Sequence, residues 1–222
     1  MKAYFISGLG ADKRIFSKLK LDPQIEVIHI EWIVPIKNES LRNYAKRLSF
    51  IIDVSNDFIL VGVSFGGMIA VEISKVIAPR CTIIISSTLY SQDLPLLYRF
   101  AGKLQLVKLI PSWLIKSSNS LTQNFFFGTK SRSEKQLLRK IIADTDSRFL
   151  KWAIGSILSW RNSVRPNSLY HIHGTNDRIL YSKSAKPDFA IGNGTHFMVY
   201  QNAGEISGII NNLHLNLPPK TS

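Results

Sequence analysis

The fold of this 222-residue chain is decided by the stretch Phe58–Ala70, FILVGVSFGGMIA. Its first four residues form the short apolar run that is typical of a buried strand, and its last residues continue as an apolar helix. Between them, Gly62–Gly67 has the pattern Gly-X-Ser-X-Gly. A turn this sharp leaves no room for side chains two residues before or after the serine, which explains the glycines there. The pattern predicts that Ser64 lies above a sheet edge, at a helix N-terminus that favours negative charge.

A serine presented in this way becomes a nucleophile when a histidine takes its proton and an acid orients that histidine. In this type of turn the acid and then the histidine follow the serine along the chain. Asp177 comes just after a predicted strand that begins at Ser168. His196 lies in a glycine-rich loop after the predicted strand 189–191. The sequence therefore predicts a catalytic triad of Ser64, Asp177 and His196.

Other residues compete for the acid and base roles. Asp177 and its neighbour Asn176 are also ordinary turn formers. Asp93, a few residues past an earlier predicted strand, is the rival acid. His196 is favoured as the base because loops at strand ends commonly present catalytic groups. The other four histidines are interpreted as structural: His29, His171, His173 and His214.

Acyl transfer to a serine also needs hydrogen-bond donors for the negatively charged oxygen of the intermediate. One usual donor is the backbone N–H of the residue after the serine, here Phe65, and the other lies on the loop after an early strand. Residues 3–6 form such a predicted strand, and Ser7–Gly10 form its loop. We expect the oxyanion hole to consist of Leu9 and Phe65, with Gly10 as the alternative to Leu9.

Four segments of the chain together resemble the α/β-hydrolase fold superfamily, and the similarity extends over most of the sequence. In their detailed amino-acid sequence, these segments resemble a compact bacterial branch of the superfamily, whose members are generally of unassigned substrate. Ser7 stands where many members carry a histidine, but the donor expected there is a backbone group. The matching segments are Ser7–Gly10 for the oxyanion loop, Gly62–Gly67 for the serine turn, His173–Asp177 for the acid loop and Gly194–Phe197 for the histidine loop.

The resemblance implies an α/β fold with a doubly wound, mostly parallel sheet of about six strands. We expect the sheet to be reduced at the N-terminus, because only Met1 and Lys2 precede the first strand. Residues 1–88 and 168–222 would form the core, and residues 89–167, where apolar residues recur at helical spacing, a helical cap insertion. Aromatic residues that could line a pocket under this cap are Trp113, Phe125, Phe126, Phe127, Trp152 and Trp160.

Composition limits the classes of protein that this chain can belong to. The hydrophobic content of 45% suits one globular domain, and the single cysteine, Cys81, precludes an internal disulfide. No apolar stretch has signal-peptide or membrane-spanning character, which predicts a cytoplasmic location. The net charge is +13, of which residues 99–165 carry +10. A basic surface can steer anionic substrates or hold nucleic acid, but an ordinary solvated face is the favoured interpretation.

These patterns predict a serine hydrolase that cleaves a carboxylic ester or a thioester, anionic esters included, through an acyl-enzyme. No P-loop, dinucleotide fingerprint or metal-ligand cluster is found in the sequence, so no cofactor and no metal are expected. No specific nucleic-acid partner is expected either. A lyase or acyltransferase with the same triad is an alternative, as is a non-catalytic ligand-binding protein on this scaffold. The complete triad argues against the last, and the serine argues against a dehalogenase with a carboxylate nucleophile.

Overall fold

Six parallel strands form one sheet in the computed structural model, which describes residues 1–104, 120–180 and 186–216. The strand order across the sheet is β2-β1-β3-β4-β5-β6, and each neighbouring pair is parallel. This arrangement confirms the predicted doubly wound fold. The strands are β1 (Lys2–Ile6), β2 (Glu26–Ile30), β3 (Phe58–Val63), β4 (Cys81–Ile85), β5 (Leu169–Gly174) and β6 (Phe189–Ile191).

Helices connect the strands, and the described part of the chain between β4 and β5 contributes four helices to a helical insertion. Within the described ranges, no helix is both long enough and apolar enough to cross a bilayer. The helices are α1 (Leu41–Ser49), α2 (Phe65–Ile73), α3 (Leu96–Lys103), α4 (Ser120–Phe127), α5 (Arg132–Asp144), α6 (Ser147–Ser159), α7 (Met198–Gln201) and α8 (Ala203–Leu215).

The helix starts follow from side-chain caps that the sequence supplies. The Ser40 hydroxyl accepts the N–H of Asn43 at the start of α1. Ser131 and Glu134 form a reciprocal capping box at the start of α5. Asp12 caps a short 3-10 turn, Lys13–Phe16, in the segment that follows β1.

Apolar side chains cover both faces of the sheet, which is why the central strand β3 reads as a continuous hydrophobic run. On one face, α1 and α2 pack on Leu60 and its neighbours. On the other face, α8 packs on Val61 and its neighbours. The sheet is therefore a three-layer sandwich in which β3 is buried from end to end, and Ser64 follows directly at its carboxyl end.

Two glycines allow α2 to begin directly above the sheet. A Cβ atom at Gly66 would overlap the carbonyl oxygens of Ile6 and Ser7 at the end of β1. A Cβ atom at Gly62 would lie only 2.7 Å from the Cα of Gly67. Both positions therefore require glycine for close packing of the turn, and the sequence pattern around Ser64 is explained by backbone contact.

We expect Gly66→Ala to destabilise the fold strongly, because the overlapping atoms are backbone atoms that cannot move independently. The matched control is Gly155→Ala in α6, where a Cβ atom would have nothing within 4 Å. Replacing an open helical glycine by alanine stabilises a protein by about 0.5–1 kcal/mol. Urea unfolding of both variants measures the contrast. Equal free energies of unfolding for Gly66→Ala and the wild type would contradict this account of the turn.

Candidate active site

Ser64 has an unusual backbone conformation that is fixed by its surroundings. Its φ is 53° and its ψ is −119°, a strained region for a residue other than glycine. Its N–H donates to the carbonyl of Ile85 over 2.9 Å, and its own carbonyl accepts from the Ser87 hydroxyl over 2.7 Å. These bonds to the last residue of β4 and to the segment just after it hold the turn, so the Ser64 side chain stands at the carboxyl end of β3.

The three side chains of the predicted triad lie in one hydrogen-bonded line. The Ser64 hydroxyl lies 2.9 Å from Nε2 of His196, and Nδ1 of His196 lies 2.8 Å from Oδ2 of Asp177. Ser64 is partly exposed, while Asp177 and His196 are buried. The structure thus brings together residues that are far apart in the sequence. The arrangement can pass a proton from the serine to the imidazole while the carboxylate fixes the ring.

Asp177 is held by donors on both carboxylate oxygens. Its Oδ1 accepts the N–H groups of Ile179 and Leu180 over 2.8 Å and 2.9 Å. Burial by itself would raise the pKa of Asp177, but the charge of His196 and hydrogen bonds from His173 and His196 outweigh it. The pKa of Asp177 is therefore well below its ordinary value, and the group is a carboxylate at neutral pH.

The acid loop and the histidine loop are locked together by their backbones. A Cβ atom at Gly174 would lie only 2.9 Å from the Cα of Gly194. The N–H of Asn176 donates to the carbonyl of Gly194, also over 2.9 Å, and the N–H of Thr175 donates to the carbonyl of Ile191 over 3.0 Å. This close approach fixes the loop that carries Asp177 against the loop that carries His196.

The two predicted oxyanion donors flank Ser64. A Cβ atom at Gly8 would lie 3.3 Å from the Cβ of Ser64, so the loop that carries Leu9 packs directly on the serine. Phe65 is the first residue of α2, where an N–H has no intrahelical acceptor. Among the backbone bonds found in the described ranges, neither Leu9 nor Phe65 donates its N–H. Ser7 is buried, and its hydroxyl donates to the Ala11 carbonyl within the loop.

The rival residues lie elsewhere. Asp93 ends a short 3-10 turn after β4, and no bond joins it to His196 in the part of the chain that the structure describes. Burial raises the pKa of Asp93, and the charge of Lys186 offsets only part of this. His29 stacks on the ring of Phe16 on the far side of β1.

His173 occupies a place that its sequence position did not indicate. Its Nε2 lies 3.2 Å from Oδ2 of Asp177, and both side chains are fully buried. His171 lies next to it, with Nε2 at 3.0 Å from Nδ1 of His173. Two histidines at alternate positions of a strand share one face, and the acid loop that follows β5 folds back over that face.

A cavity of about 500 Å³ opens beside Ser64 and His196. Besides these two residues, the described part of its wall is made of apolar side chains and glycines, with the hydroxyl of Tyr98 as the one further polar side-chain group. No lysine, arginine, aspartate or glutamate lines it within the described ranges. The helical insertion supplies much of the wall through Leu97, Tyr98, Ala101, Phe127, Leu138, Ile141, Ile142, Ile154, Ile157 and Leu158.

Only one of the five described aromatic candidates lines this cavity. Phe127 does so, and its ring centroid is 5.5 Å from that of His196. Trp152 packs on Tyr44 with centroids 4.4 Å apart, and Trp160 is buried. Phe125 and Phe126 are exposed, and Trp113 lies outside the described residues.

The insertion is bonded to the histidine loop. The N–H of Phe197 donates to the carbonyl of Phe127 over 3.2 Å. The Gln201 amide donates to the carbonyl of Gly128 over 3.0 Å and to Glu134 over 2.7 Å. The same amide accepts from the Thr195 hydroxyl over 2.7 Å. These bonds connect the end of α4 and the start of α5 to the residues on both sides of His196.

Solved structures similar to this chain share the α/β-hydrolase fold. A bromoperoxidase from Bacillus anthracis has a TM-score of 0.71 at 15% identity, covering 97% of this chain and 92% of its own. A thermophilic esterase from Thermogutta terrifontis has a TM-score of 0.71 at 12% identity, covering 98% of this chain and 90% of its own. A lipase-esterase related protein from Clostridium acetobutylicum has a TM-score of 0.67 at 13% identity, covering 95% of this chain and 93% of its own.

No family model and no curated protein matches the sequence. The similarity in structure nevertheless extends over almost the whole chain, so the chain has the α/β-hydrolase fold that its motifs predict. This fold carries more than one chemistry among these neighbours, so function has to be argued from the site.

The lowered pKa of Asp177 predicts how Asp177→Asn alters the pH dependence of stability. A carboxyl whose pKa is lower in the folded state contributes stability above its ordinary pKa, near 3.8, and loses it as the pH falls further. The stability difference between wild type and variant should therefore shrink by about 1 kcal/mol between pH 6 and pH 3. Urea unfolding at several pH values measures this difference.

Asp93→Asn is the matched control, because the pKa of Asp93 is raised in the folded protein. Its effect on the pH dependence should have the opposite sign. The same pH dependence for the wild type and Asp177→Asn would contradict the proposed state of Asp177.

Proposed function

We propose that this protein is a serine hydrolase that cleaves a carboxylic ester, or a thioester, through an acyl-enzyme. The observation that carries the proposal is the line of hydrogen bonds from Ser64 through His196 to Asp177, at 2.9 Å and 2.8 Å. The strained conformation of Ser64 supports the same chemistry, as do the adjacent N–H groups of Leu9 and Phe65, which donate to no backbone carbonyl of the described residues.

In the proposed reaction, Ser64 Oγ attacks the substrate carbonyl while Nε2 of His196 takes its proton. The N–H groups of Leu9 and Phe65 bind the negative oxygen of the tetrahedral intermediate. His196 then gives its proton to the leaving alkoxide or thiolate, and the acyl group stays on Ser64. Water attacks this ester with His196 as base, and the same steps release the acid. Asp177 holds the ring orientation and stabilises the imidazolium.

The cavity supports a substrate with an apolar acyl group. Its wall offers no cation to a carboxylate or phosphate within the described ranges, and its volume of about 500 Å³ is typical of small-molecule sites. We propose that residues 89–167 form a cap over this cavity. Most of the described basic residues of this segment, such as Arg132 and Arg139, are exposed. They could act only on the approach of an anionic substrate and not on its binding inside the cavity.

Two alternatives use the same site. A lyase or acyltransferase would need the same triad. It would differ in the group that reacts with the acyl group or the carbanion in the next step. A ligand-binding protein on this scaffold would need the apolar cavity but neither the base nor the acid. The buried pairing of Asp177 with His196 favours catalysis, because burying a carboxylate is costly unless the charge is used or well paired.

We expect a fluorophosphonate probe to label the wild-type protein at Ser64, because the probe reacts only with an activated serine. Ser64→Ala should abolish both labelling and ester hydrolysis. Ser159→Ala, at an exposed serine of α6 whose hydroxyl bonds to the helix backbone, should leave both unchanged. Mass spectrometry of the labelled peptide and p-nitrophenyl ester turnover provide the measurements.

The acid is tested in the same assay. Asp177→Asn should lower kcat by about 10⁴-fold, because the wrong imidazole tautomer is then held. Asp93→Asn should change kcat by no more than a few-fold. Hydrolysis that survives in Ser64→Ala would end the proposal, and a larger loss in Asp93→Asn than in Asp177→Asn would reassign the acid.

The apolar wall predicts a dependence on acyl-chain length. Each buried methylene contributes about 0.8 kcal/mol, so kcat/KM should rise up to about fourfold per methylene until the cavity is full. Ile157→Trp, which fills part of the cavity, should make the rise stop at shorter chains. Ile51→Trp, at an exposed position away from the cavity, is the control. A p-nitrophenyl ester series from acetate to decanoate measures this, and a flat profile would refute the acyl-site assignment.

A further inference from the structure

Asp177 has a second histidine partner that the triad does not use. Oδ2 of Asp177 accepts from Nδ1 of His196 over 2.8 Å and faces Nε2 of His173 over 3.2 Å. Nε2 of His173 also lies 2.7 Å from the carbonyl oxygen of Leu180. The side chains of His173 and Asp177 are fully buried, and the two atoms are in direct contact.

The contacts define which nitrogen of His173 carries a proton. Nε2 faces two acceptors, the carboxylate of Asp177 and the carbonyl of Leu180, so it must be a donor. In the neutral ring, Nδ1 is then an acceptor, and the group that faces it is Nε2 of His171 at 3.0 Å. His171 must therefore donate from Nε2. Each histidine fixes the tautomer of the next, in the direction of Asp177.

The carboxylate of Asp177 is thereby surrounded by four donors. The N–H groups of Ile179 and Leu180 hold Oδ1, and Nδ1 of His196 holds Oδ2. The Nε2–H of His173, which is shared with the Leu180 carbonyl, faces Oδ2 as the fourth donor. Leu180 takes part twice, since its N–H binds Oδ1 and its carbonyl accepts from His173. The ring of His173 thus links the acid loop back to strand β5, from which the loop departs.

We propose that His173 is a positioning residue that acts through Asp177. Its Nε2–H holds Oδ2 of Asp177 in the orientation that His196 needs, and His171 holds His173 in the donating tautomer. The inference rests on the proposed function for its effect on turnover, but the geometry it describes can be measured without a substrate. A buried carboxylate that loses one of its donors rotates toward those that remain, and His196 would lose its alignment with Ser64.

The ionisable groups around this pair are few in the described ranges. His171 and His196 contact His173 and Asp177 directly. Asp188 accepts the backbone N–H of His171 and pairs with Arg165. On β6 the residue paired with His173 is Ala190, and on β4 the strand ends at Ile85. Ala190 and Ile85 carry no charge, so a pH effect of changing His173 would act through the groups that contact it or its carboxylate partner, which are His171, Asp177 and His196.

The test compares His173→Leu with His173→Gln. Leucine removes the donor, while the side-chain amide of glutamine can place an N–H near the position of Nε2. His173→Leu should lower kcat about 10- to 100-fold, which is the loss typical when the hydrogen-bond partner of a metal-binding side chain is removed. KM should stay within about twofold, because His173 does not line the cavity. The acid limb of the kcat/KM profile should move to higher pH. Without the donor on residue 173, the full negative charge of Asp177 would act on His196 and stabilise its protonated form.

His173→Gln should recover most of kcat and return the acid limb to its wild-type position. A merely structural role would lower the thermal stability of both variants without moving the pH profile. Equal kcat and equal pH profiles for a folded His173→Leu and the wild type would overturn the proposal. So would a glutamine variant that is no better than the leucine variant in kcat.

Nitrogen-15 NMR of the histidine rings in the wild-type chain tests the geometry without a substrate. His171 and His173 should both carry their proton on Nε2 when neutral, and a proton on Nδ1 of His173 would overturn the proposal even if the leucine variant does not fold. The low-field proton signal of Nδ1–H in His196 should shift in His173→Leu and return in His173→Gln. If the wild-type protein hydrolysed no ester, the proposed function would fail, while these spectra would still decide the role of His173.

Discussion

The contact on which the rest of this structure depends is the close approach of Gly66 to the carbonyl oxygens of Ile6 and Ser7. It seats the first turn of α2 directly over the ends of β1 and β3. Because of this contact, the loop after β1 packs against Ser64, where a Cβ atom at Gly8 would lie 3.3 Å from the Cβ of the serine. A helix displaced by the size of one methyl group would separate the serine from the loop that carries Leu9, one of the two proposed oxyanion donors. Packing in the middle of the sheet therefore sets the geometry at its edge.

The sequence predicted most of this site because its local patterns mark places where the backbone packs too closely for any residue other than glycine. The glycines around Ser64 and the loops with Asp177 and His196 were identified in this way, and the structure brings the three side chains together. The role suggested here for His173 was missed, because alternate histidines on a strand indicate a shared face but not which loop covers it. The folding back of the acid loop depends on contacts between Gly174 and Gly194, which lie far apart in the sequence.

Charge and hydrophobicity are separated in the helical insertion. Its described basic residues lie mainly at the surface, while the residues facing the cavity are apolar. Among the residues that the structure describes, the net charge is thus not part of the cavity wall, and long-range steering and short-range binding would depend on different residues. The insertion also departs from a uniform amphipathic pattern, since Leu97 lines the cavity and yet is 73% exposed. Such a residue marks the rim, where the cavity meets solvent.

The bonds between the insertion and the histidine loop limit how the cavity can open. Gln201 is bonded to Gly128, Glu134 and Thr195 at once, so the junction of α4 and α5 moves only if the segment next to His196 moves with it. A hinge at this junction would also displace the loop that carries His196. Any exchange of the insertion between relatives of this fold would have to keep these bonds intact, which makes the junction a natural boundary for grafting new pockets onto the same sheet.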